Sequence, residues 1–248
     1  MHPQIFKFKT DISTIDIPTK LNNPFGTYLP EIARVATEEF QEFILEEFEK
    51  WNYDFNNRKG KMWGVLVVQL DDETYGYLGT VSGKLPENIE CDFLIPSVFD
   101  VSTGDYFINK GMTELTEIGN EIKNTNCPIE TNSLQQERKQ KSIALQQRLF
   151  ENYHFLNLSG KEKNLLEIFT NSSLGNPPSA AGECAAPKLL QYAFRHSLKP
   201  IALTEFWWGS SIVNKEKEHA VHYPACKDRC RPILEYMLED VDLYNNRN

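Results

Sequence analysis

The chain has 248 residues, of which 40% are hydrophobic and 25% charged, as is usual for a folded protein of one large or two small domains. A chain of this length buries a core without disulfides, and 13 Gly and 13 Pro are too few for a collagen-like or low-complexity chain. The formal net charge of −9 argues against nucleic-acid binding by bulk charge, and no DNA partner is expected. Residues 184–231 depart from this average, with eight Lys or Arg against four acids.

Two features bear on the compartment. No stretch approaches the roughly 18–20 apolar residues that cross a bilayer, and the start Met1–Lys7 lacks the charged and apolar regions of a secretory signal. The five cysteines (91, 127, 184, 226 and 230) are an odd number, which disfavours a disulfide framework. The sequence therefore predicts a cytoplasmic protein with reduced thiols and no membrane partner.

The first part of the chain predicts one helix and one hairpin. Residues 1–30 are polar and loop-like, and an amphipathic helix is predicted from Glu31, because apolar residues recur at three-and-four spacing as far as Phe48. The turn-rich run 52–60 ends it. Residues 62–82 predict a β-hairpin whose first strand is apolar enough to be buried on both faces. Residues 86–111 are irregular.

Two further helices are predicted at 113–124 and 133–157, as an antiparallel hairpin inserted into the domain. A loop over 171–182 follows. The end of the chain then predicts a helix near 184–197, a strand at 200–208, a polar loop and a helix from Ala225 to Leu238.

Together these elements predict an α/β fold with a mixed sheet flanked by helices. Residues 1–60 are assigned to an N-terminal loop and helix. Residues 61–111 and 171–248 are assigned to the α/β core, and residues 112–170 to the inserted helical hairpin.

Three cysteines form a candidate metal site. Cys226 and Cys230 stand four residues apart, so a helix beginning here would put both sulfurs on one face, and Cys184 lies at a second predicted helix start. Helix N-termini and neighbouring cations favour thiolates, and three thiolates suit a tetrahedral zinc ion. The fourth ligand would be His219, His222 or a water molecule. Alternatively, all three cysteines are small buried apolar residues.

The order of these elements resembles the scaffold of the zinc nucleobase deaminases: a hairpin, a helix opening on a candidate ligand, a strand, and a Pro-x-Cys-x₃-Cys segment. In that family a His or Cys ligand lies two residues before a general acid/base Glu, and the second motif is Pro-Cys-x-x-Cys. Here Ala186 occupies the Glu position, and the second motif has one residue too many. The resemblance therefore implies a deaminase-like core with its metal site, without the catalytic step.

Aromatic and cationic residues near these cysteines are candidates for RNA contact. Trp207 and Trp208 end the predicted strand, and alternation sends them to opposite faces. One is expected in the core and the other is a candidate to stack on an unpaired base; alternatively both rings are packed. The cations expected to face phosphate are Lys188, Lys227, Arg229 and Arg231. The basic run 135–141 is interpreted as a solvated helix face, with phosphate contact as the alternative.

Four segments are similar to the N-terminal extension of certain bacterial RluA-type RNA pseudouridine synthases: Ser142–Phe150, Gly182–Ala193, Glu205–Gly209 and Tyr223–Cys226. Gly60–Val68 fits the same extension, so the likeness spans roughly residues 30–240. In those enzymes a separate downstream domain contains H-R-L-D-x-x-T-S-G, whose Asp attacks the uridine. This chain contains no Arg-Leu-Asp, so none of its residues is assigned as catalytic.

The resemblance implies a domain that binds structured ribosomal or transfer RNA, or that docks a separate pseudouridine synthase catalytic domain onto it. Cys184, Cys226 and Cys230 would then form a structural zinc clamp. The alternative is a zinc-dependent hydrolase or deaminase-like enzyme acting on a nucleobase or nucleotide, with Glu183 or Glu205 as the acid/base and an open fourth metal position. A third hypothesis is a protein-interaction module without metal or RNA, which the net charge also suits.

Overall fold

The computed structural model describes residues 4–50, 60–85, 89, 91–99, 107–170, 172–210 and 217–244. The chain divides into two compact units. One, the core unit, comprises residues 1–98, 155–162 and 178–248; the other, the helical unit, comprises 99–154 and 163–177. The predicted turn-rich run before Gly60 and most of the polar loop after Ser210 lie outside the described residues.

The elements of the core unit are β1 (Phe6–Lys7), α1 (Glu31–Lys50), β2 (Lys61–Gln69), β3 (Tyr75–Val81), α5 (Ala185–Arg195), β6 (Lys199–Trp208), β7 (His222–Tyr223) and α6 (Arg231–Met237). Those of the helical unit are α2 (Phe107–Asn124), α3 (Pro128–Glu151) and α4 (Leu165–Thr170). Two short strands, β4 (His154–Leu156) and β5 (Glu162–Asn164), pair in a separate two-stranded sheet.

The core unit is built on a five-stranded sheet in the order β1-β3-β2-β6-β7, with each neighbouring pair antiparallel. The predicted hairpin over 62–82 is confirmed as β2 and β3. The central strand β2 pairs with β3 on one side and β6 on the other, and six consecutive residues of it are buried. Its burial on both faces, predicted from its apolar sequence, is therefore also confirmed.

Helices cover both faces of this sheet. On one face Phe40 of α1 packs edge-on against Trp63, with 6.2 Å between ring centroids. On the other face the α5 residues Ala185 and Leu189 lie so close to Gly64 that a Cβ there would come within 2.8 Å of the Ala185 Cβ. The predicted α/β class, a sheet flanked by helices, is confirmed.

Helix boundaries show where the sequence patterns mislead. The helix predicted at 133–157 begins earlier, at Pro128, which suits the first turn because its missing N–H has no partner there anyway. It ends at Glu151, because the apolar residues beyond belong to β4, where Phe155 is fully buried. The helix predicted from Ala225 begins only at Arg231, and residues 227–230 form a turn.

None of the helices in the described parts of the chain has both the length and the apolar composition needed to cross a membrane.

Candidate metal centre

The sulfurs of the three candidate cysteines converge. The Sγ atoms of Cys184, Cys226 and Cys230 all lie within 4.8 Å of one another, and those of Cys226 and Cys230 are 3.2 Å apart. Zinc–sulfur bonds of about 2.3 Å place the sulfurs of a tetrahedral site roughly 3.8 Å apart. Shifts of about 1 Å or less would therefore fit these three thiolates to one metal ion.

Two segments of the core unit position these sulfurs. Cys184 is the residue before α5, where the chain is extended, and Cys230 immediately precedes α6. Cys226 lies at the start of the intervening turn, held by a hydrogen bond from the Ala225 N–H to the Pro24 carbonyl, 2.8 Å. The prediction that Cys226 and Cys230 share a helix face is wrong, because this turn, and not the first turn of a helix, brings them together.

Hydrogen bonds within the cluster favour one thiolate even without a metal. The thiols of Cys184 and Cys230 and the backbone N–H groups of Arg229 and Cys230 all donate to Cys226, which holds the pKa of that thiol well below its usual range. The same thiol contacts, with burial, raise the pKa of Cys184 and Cys230. Such main-chain N–H groups hold a thiolate in position, and metal sites commonly orient their ligands by hydrogen bonds of this kind.

The histidines do not complete the cluster, and the prediction of His222 as a ligand is wrong. His222 pairs with Phe206 across β6 and β7, so its side chain lies on the Phe206 face of the sheet, where Nδ1 is 2.8 Å from Thr204 Oγ1. His219 Nδ1 accepts a hydrogen bond from the Gly209 N–H, 3.0 Å. Within the described residues, these three cysteines are the only group of three or more His, Cys, Asp or Glu side chains placed so that they could hold a metal ion.

A buried carboxyl group shares the cleft with the sulfurs. Glu205 of β6 is 6% exposed, and its Oε1 accepts a hydrogen bond from the Ala186 N–H, 3.1 Å. Burial is the main cause that raises the pKa of Glu205 to about 7, and the negative charge of Cys226 also raises this pKa. The hydrogen bond from Ala186 and the positive charge of Lys217 act in the opposite direction and lower it. The carboxyl thus lies against the main chain in the first turn of α5.

The cleft itself has a volume of about 410 Å³, within the roughly 300–1,000 Å³ of small-molecule sites. Besides the three cysteines, its lining includes Glu183, Glu205, Trp207, Lys61, Lys217 and Arg229. Glu183 accepts a hydrogen bond from Ser97 Oγ, 2.9 Å. Acidic, cationic and aromatic side chains therefore meet beside the candidate metal position.

Lys188 does not face phosphate, and that prediction is wrong. Its side chain is 2% exposed, and Nζ donates to the carbonyls of Val81, at 3.1 Å, and Gly83, at 2.8 Å. Nζ also lies 3.4 Å from a carboxylate oxygen of Glu183. Burial lowers the pKa of Lys188. Its role is to fasten the end of β3 to the start of α5.

The two tryptophans separate as alternation predicts. Trp208 is 5% exposed and packs against Phe206 and His219, with centroid distances of 6.1 and 4.3 Å, so its ring cannot stack on a base. Trp207, on the opposite face of β6, is half-buried and lines the cleft with Glu205. The expectation that one ring belongs to the core is confirmed, and Trp207 is the remaining stacking candidate.

The other three candidate cations differ in exposure. Lys227 and Arg229 are exposed in the turn between the two cysteines. Arg231 is half-buried, with its guanidinium 4.8 Å from the Phe25 ring centre and 3.8 Å from Glu235. Lys227 and Arg229 therefore remain the surface cations nearest to the cysteine cluster in sequence.

Comparison of the chain with protein families, curated proteins and solved structures found no match.

Proposed function

We propose that this chain is a zinc-containing RNA-binding domain of the kind that extends RluA-type pseudouridine synthases. It would hold zinc on Cys184, Cys226 and Cys230, bind structured ribosomal or transfer RNA, and serve a separate catalytic domain. The observation that supports it is the convergence of three sulfurs around a turn that displays Lys227 and Arg229.

A bound zinc ion would hold the turn between Cys226 and Cys230 in one conformation. Lys227 and Arg229 lie between two of the three ligands, so a bound ion would restrict the main chain from which both cations project. A rigid pair of cations loses less conformational entropy on meeting phosphate than a mobile pair does. A cytoplasmic location, which we also propose, keeps the thiols reduced and available to the ion.

Elemental analysis of protein purified without added metal tests the zinc site. About one zinc ion per chain is expected in the wild type and in Cys127→Ser, which alters an exposed cysteine of the helical unit. Cys184→Ser and Cys230→Ser should each lose most of it. Fewer than about 0.2 zinc per wild-type chain would contradict the site.

Salt-dependent binding to a transfer- or ribosomal-RNA stem-loop tests the RNA surface. Each lost phosphate contact reduces the slope of log K against log salt by roughly 0.7–0.9, so Lys227→Gln with Arg229→Gln should reduce it by about 1.5. The matched control is Lys110→Gln with Lys123→Gln, which removes two exposed cations from α2. Equal loss in both double variants would show general charge attraction and refute the proposed surface.

A second function, a zinc-dependent hydrolase or deaminase-like enzyme on a nucleobase or nucleotide, is favoured by one observation. The buried carboxyl of Glu205 lies in the same cleft as the sulfurs, beside Ala186. A zinc ion with three thiolates and an open fourth position lowers the pKa of a bound water. Glu205 would accept a proton at one carboxylate oxygen and return it from the same oxygen, while the Ala186 N–H holds the second carboxylate oxygen in place.

Ammonia release from cytidine, adenosine and single-stranded RNA separates the two functions. Release that falls at least a hundredfold in Glu205→Gln, in protein that retains its zinc, would establish the enzyme. RNA binding by the zinc-loaded protein without ammonia release would leave the binding domain as the function. Glu183→Gln is the control, because it changes the other carboxyl of the cleft.

A further inference from the structure

We infer that the cleft beside the cysteines receives a single unstacked nucleotide, with its base against Trp207 and its phosphate among the cations of the lining. The inference rests on the proposed function, because it names where and in what form the RNA chain is bound.

Trp207 presents a fixed aromatic surface at this cleft. The ring lies directly on the main chain of Gly60, where an added Cβ would come 2.5 Å from the indole Nε1. The Gly60 N–H is itself held by the Ser210 carbonyl, 3.2 Å away. A ring already held by packing loses little conformational entropy when a base stacks on it. Every base has a π-face, so such a contact is tolerant of sequence.

Three cations line the same cleft. Arg229 is exposed, and Lys61 and Lys217 accompany it in the lining. Lys217 has a defined position, since its Nζ lies 4.2 Å from the centre of the Tyr223 ring and 3.2 Å from Met62 Sδ. The same Nζ lies 6.0 Å from the centre of the Trp207 ring, so this cation stands beside the ring on which the base would stack.

The acidic groups of the cleft oppose an anion only weakly. Glu183 is compensated by Lys188, whose Nζ is 3.4 Å from its carboxylate. Glu205 is only 6% exposed, and one of its carboxylate oxygens is already bound by the Ala186 N–H, 3.1 Å away. The other titratable groups facing this space are the three cysteines, and a bound zinc ion would reduce the charge of three thiolates to a single negative charge.

The size and composition of the cleft select one nucleotide over a duplex. A space of about 410 Å³ suits a ligand of small-molecule size, and a paired base reaches it only after leaving its stack. An aromatic surface with neighbouring cations is the combination that binds single strands. The ligand class is therefore an unpaired nucleotide of a loop or bulge.

Indole N–H resonances of ¹⁵N-labelled, zinc-loaded full-length protein provide the test. The probes are uridine and cytidine monophosphates, the matching nucleosides, and inorganic phosphate. Trp207→Phe identifies the Trp207 signal, and the signal of Trp63, which is 0% exposed, serves as an internal control. A monophosphate should shift the Trp207 signal with saturation, bind at least tenfold more tightly than the nucleoside, and leave Trp63 unmoved.

Two variants test the contacts separately. Trp207→Leu should weaken monophosphate binding roughly tenfold, as expected for loss of one stacked base, and because this variant has no Trp207 signal its binding is measured by calorimetric titration. Arg229→Gln should remove most of the preference for monophosphate over nucleoside while leaving nucleoside binding unchanged. Because Arg229 is exposed, this variant tests the inference even if Trp207→Leu fails to fold.

The outcomes distinguish this inference from the proposed function. If monophosphates shift Trp207 while no stem-loop RNA binds, the nucleotide site stands and the RNA-binding domain does not. If a stem-loop binds with a steep salt dependence but its unpaired nucleotides leave the Trp207 signal unmoved, the inference is overturned and the proposed function stands. An equal response to inorganic phosphate alone would also overturn it, because base stacking would then contribute nothing.

Discussion

Replacing Glu205 by Gln should make the protein more stable at alkaline pH. Glutamine preserves the size of the side chain and the oxygen that accepts the Ala186 N–H, but it removes the charge. Burial raises the pKa of Glu205 from 4.5 in the unfolded chain to about 7 in the folded protein. The folded state therefore binds this proton more tightly than the unfolded state does.

The sign and size of the effect follow from that difference in pKa. Stability contributed by the protonated Glu205 is fully present below about pH 4.5 and is lost as the pH rises through 7. Each pKa unit corresponds to about 1.4 kcal/mol, so the rise of about 2.5 units corresponds to about 3 kcal/mol. Wild-type protein should lose up to about this much free energy of unfolding, relative to the variant, between pH 5 and pH 8.

Urea unfolding of both proteins at several pH values measures this difference, with a chelator present so that no metal charge intervenes. Glu121→Gln is the control, because it removes an exposed carboxyl from α2. The groups that face Glu205 are the Ala186 N–H, Lys217 and the cysteines, all of which the variant retains. A wild-type-minus-variant difference that stays constant within about 0.5 kcal/mol over this range would refute the reasoning.

Three further substitutions probe the packing around the core unit. Glu39→Gln should cost about 2–4 kcal/mol in urea unfolding, because the amide nitrogen would replace a buried carboxylate oxygen, Oε2, that accepts from the Lys9 N–H and the Tyr77 hydroxyl; an unchanged unfolding midpoint would contradict this. Gly79→Ala should cost about 1–3 kcal/mol, since its Cβ would lie 2.2 Å from the Phe40 ring, and Phe40→Leu in the same chain should recover part of the loss. Lys188→Met should lower the thermal midpoint by an amount corresponding to about 1–3 kcal/mol, because two carbonyls and Glu183 lose their buried cation; a rise in the midpoint would show that the apolar contacts of Met outweigh them.

The sequence alone predicts those helices and strands whose own pattern of apolar residues shows which face is buried. The apolar spacing of α1 and the continuous apolar run of β2 each specify one structure, and both were predicted correctly. Cys184 was correctly placed at a helix start. Cys226 and Cys230 converge on it as expected, but through a turn, because the helix begins only after Cys230. A spacing of four residues between two cysteines does not show whether a helix or a turn brings their sulfurs together.

The wrong assignments concern side chains whose surroundings come from distant segments. Lys188 looks exposed in sequence because helical lysines usually are, but the carbonyls that bind it belong to β3 and the turn after it, more than 100 residues earlier. The face on which His222 lies depends on its pairing with Phe206. The sequence offers Glu205 as an alternative acid/base, but only the approach of α5 to β6 places its carboxyl beside the Ala186 N–H.

The central position of β2 has a consequence for the order in which the molecule assembles. Val65 pairs with Gly79, 14 residues later, and with Thr204, 139 residues later. On the ribosome the hairpin can close early, but one edge of its central strand stays open until β6, residues 199–208, has been made. Contacts of such long sequence separation slow folding and expose an unpaired edge to other chains. We therefore expect release of a nascent chain before residue 199 to yield aggregating fragments, and a chaperone to be most useful during that interval.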